Sequence, residues 1–193
     1  MTLSDLNLGG GYGVRYTAED EAIDIPARLE ELVAHLKEET ERLGLPMPRF
    51  LMEPGRSIVA DAGMTLYTVG SVKRIPGYKQ YAAVDGGMTD NPRYALYQSR
   101  YTVYHAHKSG SLERFDVVGR CCESGDIIQP GVELPGDTCR GDLLAVCTTG
   151  AYNYSMASNY NRLPRPAVVM LTPDRIYEAV RRETFADLTG LDL

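Results

Sequence analysis

Apolar residues recur with two different periods along this chain, and the period changes near residue 60. Between residues 25 and 43 apolar side chains return every three or four positions with charged residues between them, which predicts an amphipathic helix. Asp24 and Pro26 are typical of a helix start, and Gly44 is typical of a helix end.

Short apolar runs at residues 6–8 and 49–52 flank this helix. A strand, a helix and a second strand in this order predict a βαβ unit with parallel strands. A glycine turn follows residue 8 at once and leaves no room for earlier strands. We therefore expect the chain to be the rear part of a larger α/β protein.

Runs rich in β-forming residues dominate the chain after residue 60. They lie at residues 65–72, 81–84, 101–105, 115–118, 143–146 and 168–171. Turn signals separate them at residues 76–77, 109–110, 130–131, 135–136 and 140–142. Many short strands with such punctuation predict an antiparallel β domain. The pattern from residue 174 to 193 fits a short helix or a strand, and the choice stays open.

Composition narrows the classes of function. The chain has 26 acidic against 20 basic residues and a net charge of -6, which argues against nucleic-acid or anionic-membrane partners. No apolar run is long enough for a membrane helix, and the start lacks the features of a secretion signal, so a cytoplasmic protein is expected. Without CxxC spacing, reduced thiols and no metal site are expected for Cys121, Cys122, Cys139 and Cys147.

Two motifs directly follow the two predicted parallel strands. Glycines 9–11 would let backbone N–H groups approach a phosphate, although a flexible turn explains them equally well. The second motif is Glu53-Pro54-Gly55-Arg56, at a strand end where βα barrels collect their active sites. Arg56 offers a planar fork for a carboxylate or phosphate, but it could also pair with Glu53 to shape the turn.

Three further motifs lie in the β-rich part. The first, DGGMTDNPRYALY at residues 85–97, places Arg93 and Tyr97 on one face if a helical turn starts after Pro92. The second is GRCCESGD at residues 119–126, where a thiol and a carboxylate are adjacent in a glycine-bounded loop. The third is TGAYNYSM at residues 149–156, in which tyrosines alternate with small residues.

Taken in order, NLGGGYG, EPGRSIVA, DGGMTDNPRYALY, CCESGD and GAYNYSMASNYN resemble successive signatures of the fold-type III pyridoxal-phosphate-dependent amino-acid decarboxylases. The resemblance is closest to the diaminopimelate branch and extends from Leu6 to about Leu188. It implies decarboxylation of meso-2,6-diaminopimelate to L-lysine. It also implies that residues 1–63 form the last strands and helices of a βα (TIM-type) barrel, and residues 64–193 an antiparallel β domain with a C-terminal tail.

The same resemblance assigns roles to individual residues. Those implied to border pyridoxal 5'-phosphate are Gly10, Gly11, Glu53, Gly55, Arg56 and Tyr152, the first two through its phosphate. Those implied to contact substrate are Arg56, Arg93, Tyr97, Glu123 and Tyr152. Cys122 would be the general acid that returns a proton after carbon dioxide leaves. The Cys122–Glu123 loop would enter the active site of a partner copy, which implies a homodimer with shared sites.

The substrate assignment depends on charge. Diaminopimelate has a second amino-acid end, and Arg93 and Glu123 would supply the cation and the anion that this end needs. Related ornithine decarboxylases carry an aspartate where this chain has Glu123. Two alternatives stay open: a decarboxylase of another basic amino acid or polyamine precursor, and a non-catalytic dimerisation module.

The cofactor lysine of that family lies on an early barrel strand. We interpret the lysines of this chain as solvated, and we expect no decarboxylase activity from this polypeptide alone; they are Lys37, Lys73, Lys79 and Lys108. His105 and His107 lie two residues apart on a predicted strand, and we interpret both as surface residues.

Overall fold

The computed structural model describes residues 3–193. These residues form one six-stranded sheet and two sheets of two strands each. The strands and helices, in chain order, are β1 (Asp5–Asn7), α1 (Ile25–Arg42), β2 (Arg49–Leu51), α2 (Arg56–Val59), β3 (Met64–Ile75), β4 (Lys79–Val84), α3 (Arg93–Tyr97), β5 (Val103–His105), β6 (Leu112–Val118), β7 (Ile127–Pro135), β8 (Leu143–Cys147), a 3₁₀ turn (Tyr160–Arg162), β9 (Val168–Leu171), β10 (Ile176–Val180) and α4 (Phe185–Thr189).

Residues 3–51 confirm the predicted βαβ unit. β1 and β2 pair in parallel, with Leu6 opposite Phe50, and α1 connects them. The Asp24 side chain accepts the N–H of Ala27 at 3.0 Å, so it caps the free donors of the first helical turn. The apolar stripe of α1 is at most half-buried, because no side chain of this helix is fully covered.

The six-stranded sheet has the order β5-β8-β3-β4-β6-β7. The prediction that this region is antiparallel throughout is wrong, because β4 and β6 pair in parallel, with Tyr81 opposite Asp116. The other neighbouring pairs in this sheet are antiparallel. Between β4 and β6 the chain forms α3 and the edge strand β5 at the other end of the sheet, and β6 then runs beside β4 in the same direction.

The turn predicted at Pro130 and Gly131 is also wrong, because both residues lie inside β7. β7 is an edge strand, where a proline without an N–H is tolerated. Gly131 has a φ of +68°, and its N–H donates to the Asp116 side chain at 2.9 Å. The register shifts at this point, which marks a β-bulge rather than a chain reversal.

The hydrophobic core lies against the six-stranded sheet. Its fully covered side chains include Phe115, Ile128, Leu134 and Leu144. The segment after the glycine turn reaches this core, because the ring of Tyr16 packs edge-on against Tyr101 with centroids 5.3 Å apart. The sheet therefore also anchors the loop that leads from β1 to α1.

The C-terminal tail resolves the open choice between helix and strand. β10 pairs antiparallel with β9, and α4 follows it. Thr184 and Asp187 cap α4 reciprocally, as in a capping box. Within residues 3–193, no helix is both long and apolar enough to cross a membrane.

Candidate active site

The two motifs that follow β1 and β2 lie side by side. The N–H of Glu53 donates to the carbonyl of Gly9 at 2.7 Å, and Asn7 Nδ2 donates to the Glu53 carboxylate at 2.6 Å. A Cβ atom at Gly10 would lie 2.1 Å from the carbonyl oxygen of Glu53, so only glycine fits there. The glycine turn and the Glu53–Arg56 motif therefore form one continuous rim.

Four of the predicted site residues gather around a cavity next to this rim. The cavity has a volume of about 410 Å³, and its lining consists of Arg56, Arg93, Tyr97, Tyr152 and Met156. The guanidinium of Arg56 lies 5.8 Å from the centre of the Tyr152 ring, and that of Arg93 lies 5.1 Å from it. The sequence did not single out Met156, since an apolar side chain carries no chemical signal of its own.

A close backbone contact places Tyr152 against Arg56. The N–H of Gly150 donates to the carbonyl of Ala60 at 3.0 Å, and Thr149 N–H donates to Gly63 at 3.0 Å. A Cβ atom at Gly150 would lie 1.9 Å from the carbonyl oxygen of Val59, and one at Gly63 would lie 2.4 Å from Gly150 Cα. We call this contact the glycine seam; it joins the segment after α2 to the segment after β8.

α3 places Arg93 and Tyr97 at the cavity. The helical turn predicted after Pro92 is confirmed, and Gln98 ends it in the left-handed conformation with a φ of +55°. Residues four apart share a helix face, and accordingly the Arg93 guanidinium lies 5.3 Å from the centre of the Tyr97 ring.

Two guanidinium groups at the cavity have unused donors. Arg93 is only 8% exposed, and its Nε has no hydrogen-bond partner within residues 3–193. The same is true of Arg56 Nε. A buried donor without a partner costs free energy, and a bound carboxylate or phosphate would satisfy it. The cavity is therefore suited to an anionic ligand.

Cys122 and Glu123 lie on a separate, exposed turn. Cys122 has a φ of +50°, and the N–H of Asp126 closes the turn by donating to the Glu123 carbonyl at 3.0 Å. Neither side chain belongs to the cavity lining found in the described part of the chain. Within one copy, the structure does not bring them to the arginines.

The half-buried carboxylate of Asp90 and the buried one of Asp126 hold the loops of this region, and sequence reasoning did not single them out. Asp90 accepts the phenol O–H of Tyr67 and the N–H of Gly87. Burial raises the pKa of Asp90, and burial together with the nearby Asp90 charge raises the pKa of Tyr67 well above its ordinary value. Asp126 bridges two loops. The sequence signal for Asp126 was Gly119, a glycine in the same loop. In the structure a Cβ at Gly119 would overlap the Asp126 carboxylate, so the glycine makes room for it.

Two of the four lysines are ion-paired, but only Lys108, whose side chain is 28% exposed, departs from the expectation that all are solvated, because Lys79 stays exposed. Lys79 Nζ lies 2.6 Å from Asp116, and Lys108 Nζ lies 2.7 Å from Asp142. These hydrogen bonds raise the pKa of each lysine and favour the protonated form, which is not nucleophilic. Neither lysine lines the cavity formed by residues 3–193.

The interpretation of His105 as a surface residue is also wrong. Its side chain is 3% exposed, and its Nε2 lies 3.1 Å from the Asp142 carboxylate. Nδ1 accepts the N–H of Lys108 at 2.9 Å, so the imidazole organises the turn after β5. Within the described residues, no three His, Cys, Asp or Glu side chains are grouped as metal ligands.

Comparison with known proteins gives a consistent set of similarities. Residues 16–150 match the family model of the pyridoxal-dependent decarboxylase C-terminal sheet domain. The diaminopimelate decarboxylase of Bacillus subtilis is 50% identical over 190 residues, which cover 97% of this chain and 43% of that protein. This chain therefore spans less than half the length of that curated relative.

Solved structures show the same similarity in three dimensions. The diaminopimelate decarboxylase of M. jannaschii in complex with L-lysine matches with a TM-score of 0.88 and 33% identity, over 98% of this chain and 43% of that one. The lysine/ornithine decarboxylase of Vibrio vulnificus complexed with cadaverine matches less well. Its TM-score is 0.69 at 27% identity, over 84% of this chain and 42% of that one.

Proposed function

This chain belongs to the pyridoxal-dependent decarboxylases, whose C-terminal sheet domain it contains, and we propose that it forms the C-terminal part of an enzyme that decarboxylates meso-2,6-diaminopimelate to L-lysine. The observation that carries this proposal is the cavity at which Arg56, Arg93, Tyr97 and Tyr152 meet. The 50% identity to a diaminopimelate decarboxylase supports the choice of substrate.

The proposal includes a division of the chain into two parts. Residues 1–63 would be the last part of a βα barrel, and residues 64–193 the sheet domain with its tail. The parallel pairing of β1 with β2 through α1 supports the barrel assignment, because a βα barrel is built from such units. The glycine rim lies where both strands end, which is the side of a barrel that carries active sites.

The rim and the cavity fit pyridoxal 5'-phosphate. Gly11 has a φ of +90° and no atom within 4 Å of its Cβ position, and Arg56 Nε has no partner among residues 3–193, so an anionic group would find open backbone and an unused donor. The residues that would hold the cofactor are Gly10, Gly11, Glu53, Gly55, Arg56 and Tyr152. When bound, this cofactor supplies an electron sink for the pair of electrons left behind as carbon dioxide departs.

The protein groups bind and orient the substrate. Arg56, Arg93, Tyr97 and Tyr152 would bind it, and the unused Nε of Arg93 is the donor best suited to a carboxylate. Diaminopimelate keeps a carboxylate at its distal end, whereas lysine and ornithine have only an ammonium there. An unpaired guanidinium beside an ammonium would repel it, which favours diaminopimelate over the diamine precursors.

Cys122 and Glu123 would complete the site from a second copy. Both are exposed and lie outside the cavity of their own chain, so a neighbouring chain could receive them. Glu123 would bind the distal ammonium, and Cys122 would donate the proton that replaces carbon dioxide. This arrangement makes the functional unit a homodimer.

The test uses this chain fused behind the portion of the Bacillus subtilis relative that it does not match; we call this protein the fused enzyme. We expect it to release carbon dioxide and L-lysine from meso-diaminopimelate, and to leave L-lysine and L-ornithine unchanged. Glu123→Gln should lower kcat/KM roughly 10- to 100-fold, because it removes a charge-assisted contact worth about 1.5–3 kcal/mol.

The matched control is Glu133→Gln, which makes the same change on the exposed face of β7 and should leave kcat/KM within about 2-fold. Equal turnover of ornithine or lysine would favour the rival substrates. A fused enzyme that dimerises without turning over any of the three would favour the non-catalytic module.

A further inference from the structure

The Asp126 carboxylate links two loops that are distant in sequence. It is 3% exposed, and its Oδ1 accepts the N–H of Met88 at 2.6 Å. Its Oδ2 accepts the N–H of Cys121 at 2.7 Å. One buried charge therefore holds two backbone donors, through hydrogen bonds of the stronger, charge-assisted kind.

Glycines make room for this carboxylate on both sides. A Cβ at Gly119 would lie 2.2 Å from the Asp126 carboxylate, and one at Gly87 would lie 2.7 Å from it. The N–H of Gly119 also donates to the Asp126 carbonyl at 2.9 Å. The two loops therefore close around the Asp126 side chain, and neither has space for a side chain at these positions.

Each of the two hydrogen bonds lies close to a residue of the proposed reaction. Cys121 directly precedes Cys122, whose φ of +50° only a constrained turn maintains in a non-glycine residue. Met88 lies five residues before Arg93, and the intervening Asn91 N–H donates back to the Gly87 carbonyl at 2.8 Å. A shift of either loop would therefore move the proton donor or the carboxylate-binding arginine.

The geometry points to Asp126 as a positioning residue that fixes the Cys122 turn relative to the loop carrying Arg93. This inference rests on the proposed function, since it assigns Asp126 a role through Cys122 and Arg93. Asp126 itself is covered by both loops and acts through them. In the proposed dimer, Cys122 would act in the active site of the partner copy and Arg93 in that of its own chain. Asp126 would therefore connect the Cys122 turn of one active site to the Arg93 loop of the other.

The experiment compares three variants in the fused enzyme. Asp126→Ala removes both acceptor oxygens, and Asp126→Asn keeps the size but only one acceptor. Asp116→Ala is the matched control, because Asp116 is another buried carboxylate that accepts one backbone N–H, from Gly131. It also pairs with Lys79, which does not line the cavity formed by residues 3–193. Amide hydrogen exchange at residues 88, 121 and 131 and steady-state kinetics with meso-diaminopimelate are measured for each.

Asp126→Ala should lose exchange protection at both Met88 and Cys121, and kcat should fall on the order of 10²-fold, as expected for a displaced catalytic group. Asp126→Asn should lose protection at one of the two amides and show a smaller fall in kcat. Asp116→Ala should lose protection at Gly131 alone, with kcat within about 2-fold of the parent.

Unchanged protection at Met88 and Cys121 would overturn the inference. Lost protection with an unchanged kcat would overturn it as well, because Asp126 would then be purely structural. If the unsubstituted fused enzyme turns over no diaminopimelate, the proposed function is contradicted, and so is the role of Asp126 in the reaction. Amide hydrogen exchange would still show whether Asp126 holds the two loops.

Discussion

The six-stranded sheet and the N-terminal βαβ unit differ in how far each is buried. Phe115 and Leu144 of the sheet are completely buried, whereas no side chain of α1 is completely buried. Leu43 and Leu45, which follow α1, are exposed. Since hydrophobic burial is the main favourable term in folding, the sheet carries its own core and the βαβ unit depends on what it packs against.

The candidate site takes residues from both of these regions. Arg56 and the glycine rim belong to the N-terminal part, while Arg93, Tyr97 and Tyr152 lie on segments anchored to the sheet. The glycine seam connects the two. Different contacts therefore keep the protein folded and keep the site assembled, and three substitutions, each with a matched control, test that separation.

The largest expected effect is in the sheet core. Phe115→Ala should lower the free energy of unfolding by about 3–5 kcal/mol, because Phe115 is 0% exposed and its removal leaves a cavity. The same change at Phe185, which is 74% exposed, should cost less than about 0.5 kcal/mol. Denaturant unfolding measures both. If Phe50→Ala in β2 costs as much as Phe115→Ala, the βαβ unit has a core of its own and the comparison fails.

A substitution in the glycine seam should lower the free energy of unfolding by less than Phe115→Ala does, but it should also change the geometry of the site. Gly150→Ala places a methyl group 1.9 Å from a backbone oxygen that cannot rotate away, so a cost of about 3 kcal/mol is expected. It should also raise the KM of the fused enzyme, since Tyr152 moves away from Arg56. The control is Gly110→Ala, where a Cβ has open space. An unchanged KM for Gly150→Ala would show that the seam does not position Tyr152.

The smallest effect concerns charge pairs. Asp142 is largely covered, and although burial acts to raise its pKa, hydrogen bonds from Lys108 and the Cys139 N–H lower the pKa well below its ordinary value of 3.8. Its stabilising contribution is therefore fully present above about pH 4 and is lost as the pH falls through the lower folded pKa. We expect Asp142→Asn to cost about 1–2 kcal/mol at pH 7 and progressively less in acid.

The matched pair in the βαβ unit is Asp5 with Arg49, which lie 2.6 Å apart but are both exposed. Asp5→Asn should cost less than about 1 kcal/mol, because solvent screens an exposed ion pair. Thermal unfolding from pH 2 to pH 7 compares the two variants with the parent. Equal acid sensitivity of both would contradict the difference in burial that defines the two regions.

Local patterns were sufficient to predict much of the fold. The period of apolar residues and the Asp24 cap predicted α1 to within one residue of its observed end at Arg42. The short turn of α3 followed from Pro92 and from the spacing of Arg93 and Tyr97. These elements are set by contacts between near neighbours in sequence, which a sequence displays directly.

Long-range pairing was not readable in the same way. The parallel pairing of β4 with β6 joins residues 35 positions apart, as in Tyr81 with Asp116, and the local alternation is the same for either direction. Pro130 and Gly131 were predicted to form a turn because Pro-Gly is a common turn signal. A strand accepts this pair only at the edge of a sheet, and the edge position of β7 is known only from the fold. Asp126 was overlooked for a related reason: its importance arises from two loops that meet only in the folded chain.

The glycine seam limits which substitutions the protein can accept. At Gly63 and Gly150 the two regions touch through main-chain atoms, so no side chain there can be exchanged to alter their spacing. Side chains on nearby surfaces can therefore be substituted without changing the main-chain contact that sets the distance from Arg56 to Tyr152. Substitutions of the cavity-lining side chains can therefore change which ligand the cavity prefers, while the main-chain contact keeps the spacing of the two regions the same.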